Sequence, residues 1–102
     1  RTSVEGTIQT SGLTIGGRVS TVTINDATWT ALPAVALANR NAVAIQNYSG
    51  QTVKLNYSNS VAGFNGVILL DGNERYYDIS QSIAIYAKCE NATAELVVEE
   101  IA

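Results

Sequence analysis

The stretch Ala42-Val43-Ala44-Ile45-Gln46-Asn47-Tyr48-Ser49-Gly50-Gln51-Thr52-Val53-Lys54-Leu55-Asn56-Tyr57 decides the fold. Val43 and Ile45 share one face of its first part and small alanines share the other, which suits a strand packed closely on both sides. Residues 47–50 are turn formers. Beyond them Val53, Leu55 and Tyr57 alternate with Thr52, Lys54 and Asn56. Two period-two runs joined by a short loop containing glycine predict a hairpin turning near Gly50.

The same alternation continues toward the C-terminus. Residues 66–70 read as a fully buried strand, and Asp71-Gly72-Asn73-Glu74 as a hairpin turn, because glycine and asparagine tolerate positive φ. Residues 75–79 return as a strand bearing Tyr76 and Tyr77. Residues 82–88 follow, with Ile83 and Ile85 on one face. The last strand, residues 94–101, sets Leu96 and Val98 opposite Glu95, Val97 and Glu99.

Toward the N-terminus, residues 28–32 read as a strand ended by Pro33, and residues 34–39 as either one helical turn or a bend. Val22 and Ile24 alternate with threonines, but the pieces before them carry few apolar groups between glycines. Residues 1–24 are therefore expected to form an extended N-terminal arm that pairs with another surface. Val4, Ile8, Leu13, Ile15 and Arg18 are its candidate partner-binding residues. Residues 25–102 form the domain. About seven to nine short strands, with turns every 8–12 residues, predict an all-β fold: a single antiparallel β-sandwich or jelly-roll-like barrel.

Composition narrows the function. The 102 residues suit one domain, and a hydrophobic fraction of 46% is enough for a core. The net charge is −3, and no two of the six basic residues are adjacent. A nucleic-acid partner needs clustered cations, as does an anionic membrane surface, so neither is expected. Cys89 is the one cysteine and reads as a small buried hydrophobe.

The chain has no histidine, the commonest general base and metal ligand, and no glycine-rich phosphate loop. No catalytic, cofactor or metal site is expected. The carboxylates Asp26, Asp71, Glu74, Asp78, Glu90, Glu95, Glu99 and Glu100 read mostly as turn and polar-face residues. The oxygens of residues 71–74 are too few for a calcium loop. Three Asn-X-Ser/Thr triplets begin at Asn47, Asn56 and Asn91, where the composition alone yields about one or two, a weak pointer to secretion. Tyr48, Tyr57, Tyr76 and Tyr77 are either core and interface fillers or, where exposed together, a stacking surface for sugar rings.

The run Leu32-Pro33-Ala34-Val35-Ala36-Leu37-Ala38-Asn39-Arg40-Asn41-Ala42-Val43-Ala44-Ile45-Gln46-Asn47 resembles a recurrent pattern in small virion proteins of tailed bacteriophages. In that pattern a short strand pair, a buried strand with a glycine turn, an Ile-Tyr-Ala strand and an acidic final strand follow. Here the buried strand is residues 67–70, the glycine turn 71–74, the Ile-Tyr-Ala strand 83–87 and the final strand 95–99. The resemblance covers residues 32–102, and Arg40, Gln46 and Asn47 are its most distinctive positions. It implies a β-sandwich protein of the virion: a capsid decoration or cement protein, a head-fibre base or a tail protein. The implied partners are the major capsid protein or other virion proteins, together with further copies of the chain, expected as a trimer. Arg40 is expected to make a structural ion pair or cap carbonyls beneath the Gln46-Asn47 turn; its alternative is a solvated loop cation. A glycan is the alternative partner, in a receptor-binding tail module or a bacterial surface adhesin.

Overall fold

The computed structural model describes residues 16–102. Among these residues eight strands follow in order: β1 (Gly17–Asn25), β2 (Thr30–Ala31), β3 (Ala42–Asn47), β4 (Val53–Asn56), β5 (Val67–Leu69), β6 (Asn73–Tyr77), β7 (Tyr86–Cys89) and β8 (Thr93–Ile101). They form two four-stranded sheets, with strand orders β1-β8-β3-β6 and β2-β7-β4-β5. Every neighbouring pair is antiparallel. The pairs β1·β8, β2·β7, β3·β6 and β4·β5 are those of one long hairpin folded at its middle. The pairs β8·β3 and β7·β4 roll that hairpin into a sandwich, which is the jelly-roll order.

The core lies between the sheets. On β8 the even positions Ala94, Leu96, Val98 and Glu100 are buried, while Thr93, Glu95 and Glu99 are exposed. Ile24, Val43 and Ile45 fill the same layer, facing Val53, Leu55, Leu69, Ala87 and Cys89 of the second sheet. Each large aliphatic side chain buried in this way contributes about 1.5–3 kcal/mol.

Several expectations change. The chain does not turn back as a hairpin near Gly50, because β3 and β4 lie in different sheets. Asn47 makes the crossing. Its buried amide donates to Gln51 O (2.9 Å) and Leu69 O (2.8 Å), and its Oδ1 accepts from Ser49 N (3.1 Å) and Ser49 Oγ (2.6 Å). Residues 71–74 do turn, with Gly72 at φ 86° and Asn73 N donating to Leu70 O. However, β5 and β6 also enter different sheets. The two corners meet where Asp71 Oδ1 accepts from Gly50 N (2.9 Å) and Asn47 O accepts from Gly72 N (2.6 Å).

The segment expected to be fully buried, residues 66–70, buries only Leu69 among its side chains, because β5 is an edge strand. The strand expected over residues 82–88 begins at Tyr86, that over 28–32 is two residues long, and residues 34–39 form a bend and turn. The arm expected over residues 1–24 needs a new boundary. Gly17–Asn25 is β1, hydrogen-bonded along β8 from Gly17↔Ile101 to Asn25↔Thr93, with Ile24 in the core.

Candidate interaction surfaces

Glu100 closes one end of the core. The alternation that buries Leu96 and Val98 also drives this carboxylate inward. Its Oε1 accepts from Arg18 Nε (3.0 Å) and Nη2 (2.5 Å), and its Oε2 from Arg40 Nη1 (3.0 Å) and Leu37 N (2.9 Å). Arg40 Nη2 donates to Ser80 O (2.9 Å) and Ile83 O (2.6 Å), and Arg18 Nη2 to Val35 O (2.5 Å). One carboxylate and two guanidiniums thus hold the 32–41 loop and the 78–85 segment against β8. A buried carboxylate is tolerable only when its lone pairs are satisfied in this way.

The sequence-derived site residues fall as follows. Val4, Ile8, Leu13 and Ile15 lie outside the described residues. Arg18 faces Glu100 within the sheet rather than an outside partner. Arg40 pairs with Glu100 and caps carbonyls of the 80–83 segment instead of the Gln46-Asn47 turn. Gln46 points outward, its Nε2 donating to Glu74 Oε2 (3.1 Å), and Asn47 is the inter-sheet corner. Because the Asn47 amide is fully buried, the triplet beginning there offers no accessible acceptor. Glu100 escaped the reading, yet its parity with Leu96 and Val98 was the signal.

The outer face of the second sheet is covered by the chain itself. Residues 57–66 cross it, held where Trp29 Nε1 donates to Val61 O (2.9 Å), Lys88 Nζ to Gly63 O (2.9 Å) and Lys54 Nζ to Phe64 O (3.2 Å). Lys54 and Lys88 are cross-strand neighbours whose repulsion is offset by those carbonyls and by rings. Lys54 Nζ lies 4.9 Å from the Phe64 centroid and Lys88 Nζ 5.7 Å from that of Trp29. Gly66 lets the loop return, since a Cβ there would stand 2.4 Å from Leu55 O.

Two surfaces stay open. The first is the side of the sandwich carrying the edge strands β5 and β6. There Val67, Ile68 and Leu70 are 42%, 54% and 48% exposed, and Tyr57 meets Tyr77 edge-on at 6.2 Å. A small apolar cavity of about 140 Å³ opens between Tyr57, Val67, Tyr77 and Ile85. The outward side of β5 carries no strand among the described residues.

The second is the outer face of the first sheet. Val97 of β8 stands between Thr21 and Gln46, and Glu95 stands beside Thr23. With Tyr48 at the end of β3, these residues line a cleft of about 580 Å³. A hollow of about 220 Å³ shares Gln46 and Val97 and continues the cleft toward Ala44. No family model matches the chain, and no curated protein matches it in sequence.

Proposed function

We propose that this chain is a non-enzymatic structural protein of a bacteriophage virion, a capsid decoration or head-fibre base protein. Its partners are the major capsid protein or other virion proteins and further copies of itself. The exposed strip Val67, Ile68 and Leu70, along the edge strand β5 whose outward side carries no strand among the described residues, carries this reading. An apolar edge of that kind invites pairing with another chain, and oligomerisation is one way to satisfy it. The resemblance of residues 32–102 to small virion proteins supports the same assignment. A trimer matches the local three-fold sites of a capsid lattice, and closed cyclic symmetry is common in such assemblies.

The test is the native mass by light scattering after size exclusion, followed by co-sedimentation with phage capsids. A trimer that dissociates on Ile68→Lys without loss of fold, and that co-sediments as the wild type, is the expected result. A monomer at every concentration that also fails to co-sediment rejects the proposal. Removing residues 1–15, which spares β1, measures what the N-terminal segment adds to attachment.

A further inference from the structure

We infer that the outer face of the first sheet is a binding site for a neutral oligosaccharide. The alternation of β1, β3 and β8 brings Thr21, Thr23, Gln46, Thr93 and Glu95 to one cleft, with Tyr48 beside them. The hydroxyls of Thr21, Thr23, Thr93 and Tyr48 make no hydrogen bond among the described residues, nor does the carboxylate of Glu95. Gln46 uses its Nε2 on Glu74 and keeps its Oε1 free. Short hydroxyls, an amide oxygen and a carboxylate are the complements of vicinal sugar hydroxyls, which both donate and accept.

Tyr48 supplies the remaining element. The residue is 64% exposed, and a tyrosine ring offers an apolar face for the C–H side of a pyranose. The cleft volume of about 580 Å³ lies within the roughly 300–1,000 Å³ usual for ligand sites. The hollow continuing toward Ala44 makes the site elongated along β3. Residues 44 to 48 of an extended strand span about 13 Å, more than one sugar ring. Neither Lys nor Arg lines the cleft or the hollow, whereas Glu74, Glu95 and Glu99 do. Anionic glycans are therefore repelled, and the ligand is uncharged. The face lies apart from the apolar edge of β5, so a protein assembled through that edge keeps the cleft open.

The experiment is amide chemical-shift mapping on the full chain, titrated with maltohexaose, cellohexaose, chitohexaose and mannohexaose, with polysialic acid as the anionic control. The expected result is saturable shifts with at least one neutral probe, at a Kd of about 1 mM or tighter. These shifts centre on residues 21–23, 46–48 and 93–97. Tyr48→Ala weakens binding about tenfold, the loss of one aromatic face, while Tyr57→Ala leaves it unchanged. Tyr48 is exposed, so its truncation spares the fold, and the amide spectrum of the variant verifies this. Silence with all four neutral probes overturns the inference. So do shifts centred on Tyr57 and Tyr77, wild-type binding by Tyr48→Ala, or equal binding of polysialic acid. Binding is read without reference to assembly, so this site and the virion assignment can fail separately.

Discussion

Arg40 Nη1 donates to Glu100 Oε2 across 3.0 Å, with both side chains closed off from solvent, and the bond ties the 32–41 loop to the last strand. Removing the carboxylate leaves a buried guanidinium without its counter-charge. Glu100→Ala is expected to cost about 3–5 kcal/mol. Arg18 is partly exposed, its side chain 37% accessible, so Arg18→Ala is expected to cost only about 1 kcal/mol. Urea unfolding of both variants checks the ranking, and equal small losses would show that the pair contributes little.

Asn47 holds the corner between the sheets with both ends of its amide. Asn47→Asp keeps the shape but removes the donors to Gln51 O and Leu69 O and turns a carboxylate toward those carbonyls. The expected loss is about 2–3 kcal/mol, similar to that of Asn47→Ala. Thermal and denaturant melts distinguish this from a solvent-facing turn residue, for which Asp is tolerated.

Gly66 is needed for space. Gly66→Ala sets a methyl group 2.4 Å from Leu55 O, a backbone atom, and 3.2 Å from the Trp29 ring. The variant is expected to lose about 1–3 kcal/mol. It also shifts Trp29 fluorescence, because the 57–66 loop must lift from that ring.

Tyr76 reports the electrostatics of the first sheet. Desolvation first, then a hydrogen bond to Asp78 and the charges of Asp78 and Glu99, raise its phenol above the ordinary tyrosine value. A raised value favours the protonated folded state. That contribution is complete below a pH of roughly 10 and is lost as pH rises through the folded-state value. Asp78→Asn is expected to bring the Tyr76 titration down toward the ordinary value. Ultraviolet and NMR titration of wild type, Asp78→Asn and Tyr76→Phe follow the change. A titration of Tyr76 unaltered by Asp78→Asn would dismiss this account.

The strands were more legible in the sequence than their partners. Leu96 and Val98 against Glu95 and Glu99 define β8, and Val43 and Ile45 define β3, because alternation is local. Which sheet a strand enters is not local. Gly50 and Gly72 serve an inter-sheet corner as readily as a hairpin, and the deciding bonds run from Asn47 to Leu69 and from Asp71 to Gly50. Exposure of Val67, Ile68 and Leu70 follows from the edge position of β5, which an apolar run does not announce. Glu100 was visible by parity but hidden by its charge. From sequence Tyr48 reads as either a filler or a stacking ring. Its neighbours Thr21, Thr23 and Glu95 come from strands far along the chain and meet it only through sheet order.

The nested pairing has a consequence for how the protein is made. Gly17 finds its partner in Ile101, and β1 is paired along its whole length by β8. Among the described residues, β1 therefore has no partner strand until β8 has been synthesised. The first sheet closes only once β8 is free to pair, on the roughly millisecond-to-second scale of non-local β folds. A chain that stops short of β8 loses more than that strand. It exposes β1 and β3 together, the two strands that flank β8.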